Sequence, residues 1–272
     1  MSRLQKLHAE PPEPWYDFHM LIPPALLSKH YDLRGRKVLH VGAHTAEEAP
    51  LYLAAEWGPT IWVEAQPNLV RDLVERFADS PDVVLEGCVW GESGKNMILH
   101  QTNNIQSSSL YPLGTHRDHY PEVRNQEELH LQTVRLDELL GPSATFDFIN
   151  LDLQGAELEA LVGLGQLMQQ VRAVYCEVNR EELYVGIPLV GEIDTFLGDL
   201  GFMRVATVWT PAGWGDALYL RASASDWGPA KRRAREMGLK IDLWSLHRRR
   251  VLKKRTRKIL AFLVALKQKI VT

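Results

Sequence analysis

The chain is 272 residues long, 45% hydrophobic and 24% charged. These values exclude a disordered or fibrous protein and allow one substantial α/β domain with appendages. The net charge of −3 conceals an imbalance, because from Gly228 onward there are 15 Lys and Arg against two acids, leaving a strongly acidic body and a basic tail. The two cysteines, Cys88 and Cys176, each sit in an apolar run and read as buried strand thiols of a reducing compartment. Residues 1–14 lack the apolar core of a signal peptide. The longest apolar run, residues 259–266, falls short of the roughly 20 residues that span a bilayer. The expected location is the cytoplasm.

Residues 1–34 read as an irregular, proline-punctuated lead-in with a helical turn over residues 25–30. Val38-Leu39-His40-Val41 is an apolar run ending in Gly42, the pattern of a buried strand feeding a tight turn. Thr45 is expected to cap a helix over residues 46–57. A second strand over 61–64, a helix over 67–77 with Leu69, Leu73, Val74 and Phe77 on one stripe, and a third strand from Val83 follow. Residues 94–128 read as a polar interlude. Beyond it come strands over 131–136 and 146–151, a helix over 156–164, a strand over 171–178 and a helix over 189–200. A terminal antiparallel pair over 205–209 and 217–220 closes the body. Strands alternating with helices at this spacing predict a doubly wound, mostly parallel sheet with right-handed crossovers.

Gly42 ends the first strand at the sheet edge where ligands bind, and the spacing predicts close approach of its backbone to a ligand. Glu64 ends the second strand, where a carboxylate accepts the hydrogens of a ribose diol, in nicotinamide and adenosylmethionine cofactors alike. Two features separate the cofactors. The loop Gly42-Ala43-His44-Thr45-Ala46-Glu47 lacks the further glycines of a pyrophosphate site, and Glu47 and Glu48 would repel a pyrophosphate. A sulfonium cofactor, cationic and without phosphate, tolerates both acids.

The segments Val38-Leu39-His40-Val41-Gly42-Ala43-His44, Trp62-Val63-Glu64-Ala65-Gln66-Pro67 and Ser107-Ser108-Ser109-Leu110 resemble the opening motifs of FkbM-type methyltransferases. Thr133-Val134-Arg135-Leu136-Asp137-Glu138-Leu139, Asp147 to Glu157 (Asp-Phe-Ile-Asn-Leu-Asp-Leu-Gln-Gly-Ala-Glu), Tyr175-Cys176-Glu177-Val178-Asn179 with Leu183-Tyr184, and Gly215-Asp216-Ala217-Leu218-Tyr219 continue the resemblance in order. It implies a Rossmann-like class I methyltransferase sheet, S-adenosyl-L-methionine as cofactor, and O-methylation of sugars, glycans or related metabolites. It also implies cofactor contacts from His40, Gly42, Ala43, His44, Glu64, Cys88 and Val89. His40 stands where the family more often has Asp, His44 where it more often has Asn, and Asn150 where it often has Lys. The regions implied are a lead-in at 1–34, a methyltransferase domain at 35–223 and a basic helical tail at 224–272.

Methyl transfer to oxygen requires the acceptor held in line with the methyl carbon and its proton removed. Asp152, at the carboxyl end of a central strand, is the first candidate for that role. Glu157, in the first turn of the next helix, either contacts ligand or complements the helix dipole. Glu177 adds a second acid at the same edge, and two converging carboxylates split into a protonated and an ionised partner. His116 and His119 are candidate bases from the interlude, and Asp216 is placed to line the cleft. No metal is expected. The basic tail around residues 259–266 suits an anionic membrane surface, with Trp244 as anchor, ahead of self-docking or nucleic acid. The leading function is therefore O-methylation of a sugar-containing or glycolipid-linked acceptor. An RNA methyltransferase and a non-catalytic cofactor-binding scaffold are the alternatives. Oligomeric state is not legible.

Overall fold

The computed structural model describes residues 20–221, together with residues 229 and 232. The tail expectation, including its membrane contact, lies outside the described residues.

Seven strands form the main sheet: β1 (Val38–Val41), β2 (Thr60–Glu64), β3 (Val83–Glu86), β7 (Phe148–Leu151), β8 (Ala173–Asn179), β9 (Phe202–Trp209) and β10 (Trp214–Arg221), in the order β3-β2-β1-β7-β8-β10-β9. The β1, β2, β3, β7 and β8 pairings are parallel, and β10 inserts antiparallel between β8 and β9. Strands β1, β7 and β8 are buried along their whole length, as uniformly apolar runs at the centre of a doubly wound sheet require. One face packs Val38, Trp62, Phe148 and Tyr175 against α1 (Pro24–Tyr31) and α2 (Ala49–Ala54). Leu73 of α3 (Pro67–Arg76) joins that face. The other face packs Leu39, Val41, Ile149 and Cys176 against α6 (Glu157–Gly163) and α7 (Val190–Asp199). Met20, Ile22, Leu27, Tyr31 and Leu33 are buried in the first of these clusters, so the described part of the lead-in is packed core. Cys88 and Cys176 are buried free thiols.

Two expectations are corrected. The helix predicted over residues 46–57 begins only at Ala49, with Glu48 as its N-cap and no side-chain cap from Thr45. Pro50 explains this: lacking an N–H, it fits the first turn but not an interior, so residues 42–48 remain a non-helical turn. The strand expected over residues 131–136 starts earlier, inside the polar interlude, as β6 (Asn125–Val134). The interlude also holds β5 (Asn96–Thr102) and the four-residue α4 (His116–His119), and β4 (Cys88–Val89) joins the two strands in a second sheet ordered β4-β6-β5. The first four residues of β6, Asn125 to Glu128, are polar and exposed, so no apolar pattern marked the start of the strand. The short α5 (Leu136–Leu140) leads back into the main sheet.

Candidate active site

A cavity of about 410 Å³ opens at the carboxyl ends of β1, β2, β7 and β8. Its floor begins at the turn after β1. Gly42 (φ +86°) donates its N–H to the Val63 carbonyl, and a Cβ there would collide with the Asp152 carbonyl. The glycine is therefore required by backbone crossing backbone, and the ligand approach predicted for it is secondary. His44 (φ +46°) occupies the left-handed region, where Asn and His are among the better tolerated side chains.

Glu64 is buried at the end of β2. Its Oε1 accepts the N–H groups of Ala65 and Gln66, both at 2.9 Å, and its Oε2 accepts that of His44 at 2.8 Å. A carboxylate offers about four acceptor positions, so one remains on Oε2, room for one further hydrogen bond where two diol hydrogens were expected. Burial raises the Glu64 pKa against these donors. His44 Nδ1 lies 2.6 Å from Glu47 Oε1. Burial opposes charge on both, but the shared hydrogen bond and the Glu47, Glu64 and Asp152 charges raise His44, while the hydrogen bonds from His44 and Thr45 hold Glu47 down to about 2.

At the opposite wall, the Gln154 carboxamide joins the two strand-end acids. Its Nε2 donates to Asp152 Oδ1 at 2.7 Å and to Glu177 Oε2 at 2.9 Å, while its Oε1 accepts the Tyr184 hydroxyl at 2.7 Å. Burial, and then the charges of Asp152 and Glu157, push Glu177 well above the carboxylate range. Asp216, paired with Glu177 in register across β8 and β10, accepts the Leu21 N–H and the Tyr175 hydroxyl. Burial lifts its pKa to about 7. Gln154 itself stands at φ +50° with its carbonyl held by the Ser109 hydroxyl. Sequence reasoning placed Gln154 within a motif but gave it no role; the signal available was an amide between two acids at a strand end.

Most of the predicted site residues converge here. Gly42, Ala43, His44, Glu64, Cys88, Val89, Asp152 and Glu177 all line the cavity, as do Glu47, Glu48 and Asp216. Two do not. His40 faces the opposite side of β1, 1% exposed, with Tyr52 Oη 3.0 Å from its Nδ1 and the Trp62 ring 4.9 Å away. Burial lowers its pKa to about 3, so it is a neutral core histidine. Glu157, also 1% exposed, accepts the N–H groups of Leu153 (2.9 Å) and Gly155 (3.1 Å) and lies under the loop rather than in the cavity. Burial pushes its pKa to about 7, against those donors. It is a positioning residue for the turn that carries Gln154.

Six carboxylates (Glu47, Glu48, Glu64, Asp152, Glu177 and Asp216) line the cavity, and no Lys or Arg does among the described residues. No group of three or more His, Cys, Asp or Glu side chains suited to a metal ion occurs among them either. This field fits a cationic sulfonium ligand and opposes a pyrophosphate.

The sheet order, with one antiparallel strand inserted next to the edge, is that of class I methyltransferases. Among solved structures, the methyltransferase FkbM of Methylobacillus flagellatus KT superposes with a TM-score of 0.47 at 12% identity, over 73% of this chain and 48% of that one. The magnesium protoporphyrin IX methyltransferase (ChlM) of Synechocystis PCC 6803, with S-adenosylmethionine bound, gives 0.43 at 14% identity over 73% and 76%. The 2-O-methyltransferase NoeI of Sinorhizobium fredii (strain NBRC 101917 / NGR234) is 31% identical over 91 residues, 32% of this chain and 37% of NoeI. The match thus spans well under half the length of that curated relative. The methyltransferase FkbM domain model matches residues 40–203, more than half of the chain, and the chain belongs to this family of S-adenosylmethionine-dependent methyltransferases.

Proposed function

We propose that the protein transfers a methyl group from S-adenosylmethionine to a hydroxyl of a sugar, glycan or glycolipid-linked metabolite. The observation that carries this reading is the Asp152–Gln154–Glu177 arrangement, two carboxylates at one cavity wall held by a single carboxamide. When bound, the cofactor supplies an electrophilic methyl carbon on a cationic sulfur. This chain's residues hold it and handle the proton. Glu64, with one acceptor position free, would hold a ribose hydroxyl, and Gly42, Ala43, His44, Cys88 and Val89, which line the same cavity, would hold the rest of the cofactor.

Asp152 is the less buried of the two acids and takes the proton of the acceptor hydroxyl. Glu177, its pKa raised by burial and by Asp152, stays protonated, so the pair provides one ionised and one neutral carboxyl. Gln154 keeps both in place.

The basic C-terminal composition supports peripheral contact with an anionic membrane surface, which suits a lipid-linked acceptor. Lipid flotation of the full chain against a chain ending at Arg221 tests that point. A nucleic-acid acceptor is disfavoured by the carboxylate-lined cavity.

The deciding experiment pairs calorimetry with S-adenosylmethionine and tritium transfer from labelled cofactor to free and lipid-linked oligosaccharides. Asp152→Asn is expected to lower methyl transfer by about 10²–10⁴-fold while cofactor affinity changes little. Wild-type turnover in that variant removes Asp152 from the mechanism, and no cofactor binding at millimolar concentration removes the enzyme.

A further inference from the structure

The cavity wall opposite the sheet edge is built by a strap, residues 104–120, and by the start of β10. The strap is latched down at several points. Leu113 bridges to Tyr184, and the N–H groups of Gly114 and His116 donate to the Leu183 carbonyl at 2.7 and 3.1 Å. The indole N–H of Trp214 donates to the Tyr120 hydroxyl at 2.9 Å. Trp214, Tyr120 and His116 all line the cavity. The His116 ring packs on Tyr120 and Tyr184, with centroids 4.8 and 5.4 Å apart.

His116 is 5% exposed, and its Nδ1 has no hydrogen-bond partner among the described residues. An unpaired buried polar nitrogen is costly until a partner reaches it, and the residue that carries this one lines the cavity. Burial lowers the His116 pKa, against the charge of Glu122, and so keeps the ring neutral. The other polar groups lining this side are Asn104, Gln106, Ser107, Ser108, His119 and Thr210, with no Lys, Arg, Asp or Glu from the strap among the described residues.

From this we propose that the strap wall is the acceptor subsite, in which Trp214 and Tyr120 stack against the C–H face of an uncharged saccharide ring and His116 pairs one of its hydroxyls, and that the site rejects anionic saccharides. Aromatic rings offer an apolar face with a polar tip, matching a pyranose that is apolar above and hydroxylated at its edge. Rejection follows from the lining. A uronate or sugar phosphate would bring its charge toward the Asp152 carboxylate, with no Lys or Arg among the described lining residues to pair it. The inference rests on the reading of a sugar hydroxyl as methyl acceptor, and it adds which residues select the sugar and by what charge.

The test uses the full chain saturated with S-adenosylhomocysteine and two probes that differ only at C6, methyl β-glucopyranoside and methyl β-glucopyranosiduronate, followed by saturation-transfer NMR. The neutral glycoside is expected to bind at least about tenfold more tightly than the uronate, the scale of one uncompensated hydrogen bond or charge contact. Trp214→Ala and His116→Phe are each expected to weaken the neutral glycoside by about tenfold, with S-adenosylhomocysteine affinity unchanged as evidence of an intact fold. Gln106→Lys, which adds a cation to the same wall, is expected to narrow the gap between the probes. Equal binding of the two probes, no binding of the neutral glycoside to the cofactor-loaded chain, or unchanged affinity in both aromatic-wall variants overturns the subsite. Failure of S-adenosylhomocysteine to bind overturns the methyltransferase reading instead, and glycoside binding is then read without it.

Discussion

The resemblance to FkbM-type methyltransferases implies Asp and Lys where this chain has His40 and Asn150, and the structure sets these two residues side by side. They are register partners on β1 and β7, 1% and 3% exposed. Asn150 Nδ2 donates to the Tyr52 hydroxyl at 2.8 Å, and that hydroxyl lies 3.0 Å from His40 Nδ1. A neutral trio thus stands where an acid and a base would form a buried ion pair. Restoring only the acid, His40→Asp, puts a carboxylate between Trp62 and Tyr52, with Glu48 already about 4.0 Å from the His40 ring nitrogen. An unpaired buried charge costs about 3–5 kcal/mol, a large share of the roughly 5–15 kcal/mol that holds a domain together. At about 2–4 °C per kcal/mol, Tm should fall by about 12 °C. Adding Asn150→Lys supplies the missing partner and should recover about half of the loss. The assay is a double-mutant cycle by urea unfolding, with an expected coupling of at least about 2 kcal/mol. Costs that add within about 0.5 kcal/mol, or a His40→Asp chain as stable as wild type, would refute the compensation.

Two further outcomes are expected. Glu157→Gln replaces a carboxylate that receives backbone N–H groups of Leu153 and Gly155 with a group whose amide must face a donor, and it should cost about 3 kcal/mol; full stability combined with lost methyl transfer would return Glu157 to the catalytic role. Stability should also fall as pH rises from 6.5 to about 8. Glu157 and Asp216, each pushed to about 7 by burial, and Glu177, pushed higher, keep protons in the folded chain that the unfolded chain has already released. His44, raised by Glu47, acts in the same direction. His40, lowered to about 3, opposes them only below its ordinary value of 6.5. A net difference of one to two protons gives a loss of about 2–4 kcal/mol over that window, visible in thermal melts; a flat or rising Tm there contradicts the buried-acid assignment.

The central sheet was legible because its strands are buried on both faces and announce themselves as apolar runs between turn residues. Strand β5 and the first half of β6 were not, since residues 125–128 are exposed throughout and no face there must be apolar, while the second half of β6 falls within the strand expected over 131–136. Within the site, sequence position located the acids at strand ends, because the carboxyl edge of a parallel sheet is where ligands bind whatever the side chains do. It could not tell which way a side chain faces from a single strand end. His40 and Gly42 are two residues apart, yet the first faces the core under the sheet and the second turns the chain at the cavity floor. Nor could it show that Glu157 spends its carboxylate on backbone N–H groups two to four residues before it, or that Gln154 is the group between two acids. Those are facts of local hydrogen bonding that spacing does not encode. In the proposed reading Asp152 and Glu177 carry the proton chemistry, Glu157, Gln154 and Tyr184 hold the loop that positions them, and the strap, the stretch with the weakest periodic pattern in the body of the chain, would select the acceptor.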